Sequence, residues 1–128
     1  MPLKVRLAKN AVDSSNPFLY HKTTHRQVYD SALREFPDYD DVILWNEKGE
    51  ITESCIANVV VFIDGQFATP PISCGLLNGV YRAYLLERNE IKERKIYREE
   101  IEKVEDVYLI NSVRKWQKVE LAKFAKKL

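Results

Sequence analysis

The sequence contains no long apolar run, and this absence limits where the chain can act. No segment approaches the roughly 20 consecutive apolar residues that a membrane-spanning helix requires. The N-terminal segment Met1–Leu7 is basic, and it also lacks the apolar stretch of a secretory signal peptide. We therefore expect a soluble cytoplasmic protein without a membrane partner.

The sequence also has few cysteines and no excess of either charge. Its two cysteines, Cys55 and Cys74, do not have the spacing of metal ligands, and in a reducing cytosol free thiols are expected rather than a disulfide. The 20 Lys and Arg residues nearly balance the 19 Asp and Glu residues, so the net charge of +1 gives no argument for a nucleic-acid partner. The basic segment 123–127 is explained at least as well by a solvated terminus. We predict neither a metal site nor nucleic-acid binding.

The apolar residues that are present suffice for the core of one domain. Of the 128 residues, 45% are hydrophobic, and the chain shows no internal repeat or low-complexity linker. Apolar and β-branched residues alternate or run together in the segments predicted as strands. These strands are Leu3–Leu7, Val42–Trp45, Val59–Ile63 and Val107–Ile110, with a last one around Val119 and Leu121.

Helices and turns are predicted between these strands. Apolar residues recur at helical spacing from Thr24 to Phe36, and Pro37 would stop this helix. Asn46–Gly49 and Asp64–Gly65 have the composition of hairpin turns. A second helix opens at Gly79 and is expected to carry the apolar residues Val80, Tyr84, Leu85 and Ile91. The mixture of hairpins and helices predicts an α+β domain.

Four local features could carry chemistry, although each also has an ordinary structural explanation. Lys22 precedes the first predicted helix, but most lysines are solvated surface groups. Glu53 follows an apolar strand, where a carboxylate more often faces solvent. Gly79 marks the start of a helix whose backbone N–H groups suit a phosphate, but nearly every helix has such an end. Ser112 follows a strand, where serine is usually a turn residue. None of the four indicates a function by itself.

Taken in chain order, the segments around these residues resemble the class IV aminotransferase family. His21–Thr24, together with Arg26 and Tyr29–Asp30, is similar to the lysine segment of aminodeoxychorismate lyases, especially those fused to the synthase that precedes them in folate biosynthesis. Asn46–Asn58 resembles the family signature, in which an asparagine follows a glutamate by five residues. The resemblance continues through Thr69–Pro71, Gly75–Arg82 and Asn111–Arg114, and it extends from about Lys4 to Val119.

The resemblance implies pyridoxal 5'-phosphate as the cofactor and gives each matching residue a role. Lys22 would be the catalytic lysine, which binds the cofactor covalently and acts as a base. Glu53 would hold the proton of the pyridine nitrogen. The phosphate would be bound at Gly79, Val80, Tyr81 and Ser112. Arg26 and Asn58 would support the site.

The resemblance also implies a domain organisation. Residues 1–128 would form a single domain, the cofactor-holding C-terminal half of the fold-type IV (D-amino acid aminotransferase-like) fold, with the N-terminal domain absent. That domain, or a partner chain, would complete the pocket. Apolar surface left uncovered would drive association, so we expect a homo-oligomer, a dimer or larger.

The activity implied is that of a lyase, which converts the small-molecule substrate 4-amino-4-deoxychorismate into 4-aminobenzoate and pyruvate. This chain would be a partial enzyme. Gln27 stands five residues after the lysine, where aminotransferases of this fold usually carry tyrosine, and this favours the lyase. Two alternatives remain open: a branched-chain or D-amino acid aminotransferase of the same fold, and a non-catalytic interaction module derived from it.

Overall fold

The computed structural model describes residues 2–16, 26–104 and 106–122, with the backbone alone at residues 26–28. The strands within these ranges are β1 (Leu3–Leu7), β2 (Asp41–Trp45), β3 (Ile51–Ser54), β4 (Asn58–Ile63), β5 (Gln66–Thr69), β6 (Lys92–Glu93), β7 (Asp106–Asn111) and β8 (Lys115–Leu121). The helices are α1 (Arg26–Glu35), α2 (Val80–Glu87) and the short α3 (Arg98–Ile101), with a 3-10 turn at Ile72–Cys74.

The strands pair into a mixed sheet in the order β3-β2-β1-β8-β7-β4-β5-β6. Because β3 also pairs with β4, six of these strands close into a partial barrel. Within this ring β1 runs parallel to β2 and β8, and the other pairs are antiparallel. The predicted α+β class is confirmed.

Consecutive apolar residues in the central strands are explained by burial of both sheet faces. In β4, Val59 and Val61 lie in the core inside the barrel, whereas Val60 packs with Leu85 of α2. In β2, Ile43 lies inside the barrel and its two neighbours pack beneath α1. A strand covered on both faces needs apolar residues at successive positions. The three predicted core strands are therefore confirmed by β2, β4 and β7.

Both predicted hairpin turns are confirmed. Asp64 and Gly65 have φ values of 54° and 76°, the left-handed pair that a two-residue turn between β4 and β5 requires. In the β2–β3 turn Gly49 has a φ of 75°. The Asn46 side chain braces that turn, since its Oδ1 accepts the N–H groups of Lys48 at 2.9 Å and Glu50 at 3.0 Å.

The second helix begins after Gly79 and carries Val80, Tyr84 and Leu85 as predicted, but it does not extend to Ile91. α2 ends at Glu87, and Ile91 lies beyond it, although Ile91 is buried in the same cluster as Leu85. Val80 and Tyr84 are 77% and 49% exposed, whereas Arg82 is buried with Leu85. The buried face of α2 thus carries an arginine, which apolar periodicity cannot detect. The first helix is observed from Arg26 to Glu35, and its predicted start at Thr24 lies outside the described residues.

The structure also describes features related to the expected membrane and disulfide status of the chain. No helix in the described part of the chain is long and apolar enough to cross a membrane. Cys55 and Cys74 are free. Burial raises the pKa of the Cys74 thiol to about 12, so this thiol is neutral at physiological pH. The basic segment 123–127 lies outside the described residues.

Candidate functional site

The β3–β4 hairpin places Glu53 opposite Asn58. Ser54 closes the turn between them: its backbone N–H donates to the Ala57 carbonyl at 2.9 Å, and its Oγ accepts the Ala57 N–H at 2.9 Å. Side chains of directly paired residues emerge on the same face of a sheet. The spacing of five residues between glutamate and asparagine is therefore the length of a tight turn that brings the two together.

The Glu53 carboxyl is enclosed by the protein. It is 4% exposed, and its Oε2 accepts hydrogen bonds from the Tyr29 hydroxyl and, at 3.2 Å, from the backbone N–H of Leu77. Burial raises the pKa of Glu53 to about 8, although these two hydrogen bonds and the positive charge of Arg82 lower it. At neutral pH the carboxyl is therefore mostly protonated, and a cation bound beside it would favour its charged form.

Asn58 holds the segment that leads into α2. Its Nδ2 donates to the Leu77 carbonyl at 3.0 Å. A Cβ at Gly79 would lie 2.4 Å from Asn58 Oδ1, so a larger residue there would force the Asn58 side chain to move. The φ of Gly79 is −61°, which any residue adopts, so the preference for glycine is steric.

The start of α2 presents backbone donors at the edge of a cavity. The first intrahelical hydrogen bond runs from the Ala83 N–H to the Gly79 carbonyl at 3.0 Å, so the N–H groups of Val80 and Tyr81 precede the helical ladder. Such groups bind anions well. The adjacent cavity of about 440 Å³ is lined by Val80, Tyr81, Tyr84, Ser112 and Lys115.

The β7–β8 turn supplies Ser112 to this cavity. Asn111 shapes the turn, because its Oδ1 accepts the N–H groups of Val113 at 3.1 Å and Arg114 at 2.8 Å. Its Nδ2 donates to the Ile56 carbonyl at 3.4 Å, which ties the turn to the β3–β4 hairpin. Lys115 Nζ donates to the Ser112 carbonyl at 2.8 Å.

Arg82 anchors the loop that carries Leu77 and Gly79. Its side chain is 1% exposed, and Nη2 donates to the Pro70 carbonyl at 2.9 Å and to Glu93 Oε2 at 2.6 Å. Nη1 donates to Asn78 Oδ1 at 2.8 Å. The guanidinium thereby joins both ends of the loop to β6 and to the first turn of α2.

The sequence-predicted residues are only partly within the described structure. Glu53, Asn58 and Gly79 lie together around Leu77, and Val80, Tyr81 and Ser112 adjoin one cavity. Lys22 lies outside the described residues, as does the side chain of Arg26, whose backbone begins α1. The roles assigned to all these residues stay predictions.

Two residues of the site, Tyr29 and Arg82, received no role from the sequence. Both lie in segments that resemble the family, but the resemblance gave a role to neither. Tyr29 has the helical spacing of a core residue, and Arg82 looks like an ordinary exposed helical charge. The polar partners of Tyr29 and Arg82, Glu53 and Glu93, are 24 and 11 residues away in the chain. The sequence pattern around Tyr29 or Arg82 does not predict either partner.

Comparisons with known proteins agree with this architecture. The family model for amino-transferase class IV matches residues 2–122. The putative aminodeoxychorismate lyase of Schizosaccharomyces pombe is 36% identical over 107 residues, which are 78% of this chain and 46% of that protein. The chain thus spans about half the length of the curated relatives that it matches.

Solved structures give the same result. A putative amino-acid aminotransferase from Mesorhizobium loti superposes with a TM-score of 0.88 at 38% identity, and the match covers 95% of this chain and 60% of that one. A putative 4-amino-4-deoxychorismate lyase from Legionella pneumophila superposes with a TM-score of 0.83 at 24% identity, covering 94% of this chain and 48% of that one. At that identity the second structure supports the fold alone.

Proposed function

Because this chain belongs to the amino-transferase class IV family, we propose that it is the cofactor-holding half of an aminodeoxychorismate lyase. The fold expected for this family, the C-terminal domain of fold-type IV enzymes, is confirmed. Enzymes of this class depend on pyridoxal phosphate. The proposed reaction is the conversion of 4-amino-4-deoxychorismate into 4-aminobenzoate and pyruvate.

The described residues fit this cofactor. The buried carboxyl of Glu53 has an Oε1 to which no described residue donates a hydrogen bond, and a carboxylate is suited to a protonated pyridine nitrogen. The N–H groups of Val80 and Tyr81 and the hydroxyl of Ser112 suit a phosphate dianion. The buried Glu53 beside the start of α2 is the observation that carries the proposal, because a cationic ring nitrogen beside this buried acid would favour its charged form.

The chain's own groups have separate tasks in the proposed reaction. Pyridoxal phosphate, when bound, supplies an electron sink for a carbanion at the substrate. Glu53 would hold the proton of the ring nitrogen, and Val80, Tyr81 and Ser112 would hold the phosphate. Lys22 would hold the cofactor covalently, and its amine would serve as the general base for the substrate proton.

A lyase is favoured over an aminotransferase by two observations. The Schizosaccharomyces pombe relative, described as a lyase, is 36% identical over 78% of this chain. Gln27 also replaces the tyrosine expected of aminotransferases five residues after Lys22. The second candidate is an amino-acid aminotransferase, which is favoured by the 38% identity to the Mesorhizobium loti structure.

We propose further that a second domain or a partner chain completes the pocket. The chain covers 46% of its Schizosaccharomyces pombe relative and 60% of the Mesorhizobium loti structure, which leaves room in both for another domain. Catalysis needs a substrate held in register, and a displacement of about 1 Å can cost roughly 100-fold in rate. We expect the chain alone to bind pyridoxal phosphate weakly and to turn over little substrate.

The experiment measures cofactor binding first and reaction type second. The absorbance spectrum of the chain with pyridoxal phosphate should change on binding, and Lys22→Ala should abolish the covalent part of that change. The N-terminal half of the Schizosaccharomyces pombe relative is then added, and products are measured by chromatography. Pyruvate with 4-aminobenzoate identifies the lyase, whereas glutamate-dependent amino transfer identifies the aminotransferase. A spectrum that never changes contradicts both.

A further inference from the structure

Tyr29 is a buried residue that the proposed function does not use. It lies on α1, is 2% exposed, and donates its hydroxyl to Glu53 Oε2. Burial raises the pKa of the Tyr29 phenol far above its ordinary value, and the negative charge of Glu53 raises it further. The phenol therefore stays protonated at neutral pH and can donate its hydrogen bond to Glu53.

Both hydrogen bonds to Glu53 end on the same oxygen. Oε2 accepts the phenol of Tyr29 from α1 and the backbone N–H of Leu77 from the loop before α2. Two donors from separate elements fix the rotation of the carboxyl group. Among the described residues none donates to Oε1, which is therefore the oxygen that can exchange a proton with a ligand.

We propose that Tyr29 is a positioning residue for Glu53: by donating to Oε2 it favours the ionised carboxylate and leaves Oε1 for the ring nitrogen of the cofactor. The cofactor part of this inference rests on the proposed function. The effect on the ionisation of Glu53 is a property of the chain alone, and the two parts can be tested separately.

Among the described residues, Tyr29 is the side chain that donates to Glu53, and the Leu77 donor belongs to the backbone. Arg82 of α2 lowers the pKa of Glu53 through its charge, and Asp41 of β2 raises it. Cys55, in the turn after β3, has its own thiol pKa raised by burial and stays neutral. Tyr29 is thus the donor that can be removed without removing a charge, which makes Tyr29→Phe an informative variant.

The first measurement uses the chain without cofactor. The side-chain carboxyl of Glu53 is titrated by 13C NMR in protein labelled at glutamate, and Glu53→Gln identifies its signal. A hydrogen bond to a charged group shifts a pKa by roughly one to two units, so Tyr29→Phe should raise the pKa of Glu53 by that amount. Tyr39→Phe is the matched control, because the Tyr39 ring contacts Arg6 and should leave Glu53 unchanged.

A folded Tyr29→Phe chain in which the pKa of Glu53 is unchanged would overturn the proposal. If Tyr29→Phe does not fold, replacement of Tyr29 by 3-fluorotyrosine keeps the ring and strengthens the donor. The pKa of Glu53 should then fall, and an unchanged value would again overturn the proposal.

The second measurement separates this inference from the proposed function. Pyridoxal phosphate is titrated into the wild-type chain and into Tyr29→Phe, and absorbance spectra are recorded against pH. We expect the pH midpoint of the bound-state spectrum to move with the pKa of Glu53. No binding by the wild type would refute the proposed function, while the cofactor-free titration would still decide whether Tyr29 controls Glu53. Binding with an unmoved midpoint would overturn the positioning role toward the cofactor.

Discussion

Glu53 is a carboxyl that the fold buries at 4% exposure, and this burial raises its pKa to about 8. The folded chain therefore holds this proton more tightly than the unfolded chain, whose glutamate has an ordinary pKa near 4.3. The resulting stabilisation is complete below the unfolded pKa and is lost as the pH rises through the folded pKa. In the cofactor-free chain, stability should fall between about pH 4.5 and pH 8.

We predict that Glu53→Gln removes most of this pH dependence. Glutamine fills the same space and does not titrate. One pKa unit corresponds to about 1.4 kcal/mol, so the wild type should lose a few kcal/mol across the window. Urea denaturation at pH 5 and pH 8.5 measures the difference. The pKa of Asp41 is also raised by burial, so the variant keeps the part of the slope, of the same sign, that comes from Asp41. Equal slopes in wild type and variant would contradict the assignment to Glu53.

The contact between Gly79 and Asn58 gives a second residue-scale prediction. Gly79→Ala would place a Cβ 2.4 Å from Asn58 Oδ1, and we expect a destabilisation of roughly 1–3 kcal/mol from overpacking. Asn58→Ala frees that space, so the cost of Gly79→Ala should be smaller in the Asn58→Ala background. A double-mutant cycle on unfolding free energies tests this coupling, and additive effects would exclude the steric contact as the cause.

For single residues, the sequence indicated the positions of those candidate residues that belong to a local motif. Glu53, Asn58, Gly79 and Ser112 each lie beside a turn or a helix start, where local chemistry determines position. Tyr29 and Arg82 differ because each is itself buried and has its polar partner in another element. No periodicity encodes such a pair, so they could be found only in three dimensions.

Among the secondary-structure elements, β8 begins at Lys115 with a strained backbone. The φ of Lys115 is 60°, a conformation that is unfavourable for residues with a Cβ. We predict that Lys115→Gly stabilises the chain by about 0.5–1 kcal/mol, because relief of this strain exceeds the entropy that glycine adds to the unfolded state. Thermal unfolding measures the gain. Asn89→Gly is the matched control, since Asn89 also has a φ of 60° but asparagine tolerates it. An equal gain at both positions would show that glycine itself, rather than strain at Lys115, is responsible.

Elements defined by nearby residues were predictable, and elements defined by distant ones were not. The hairpin at Asp64–Gly65 follows from two residues of turn chemistry. The parallel pairing of β1 with β2 and β8 joins segments far apart in the chain, and it is determined by how all the strands of the partial barrel pack together. β6 consists of the charged residues Lys92 and Glu93, which form a strand because β5 offers a parallel edge. Its sequence has no strand character.

At the scale of the whole molecule, several exposed apolar residues near the site indicate how the chain could associate with another protein. Ile56 and Val113 are 52% and 86% exposed. Both adjoin Asn111, which donates to the Ile56 carbonyl and accepts the Val113 N–H. Val80, on the rim of the same cavity as Ser112, is 77% exposed. Exposed apolar side chains at a cavity and in the turns next to it are typical of a surface that another protein covers.

We therefore predict that the chain alone self-associates through the surface that carries Ile56, Val80 and Val113. Covering a large apolar side chain contributes about 1.5–3 kcal/mol, and each 1.4 kcal/mol is about tenfold in affinity. The double variant Ile56→Ser with Val113→Ser should weaken association at least tenfold, as measured by light scattering over a range of concentrations. Phe62→Ser, at the opposite end of β4 and 41% exposed, is the control and should leave association unchanged. A wild-type chain that stays monomeric at high concentration would contradict the prediction. A second domain that completes the pocket would bury the same three residues, so adding it should also dissociate the self-associated chain.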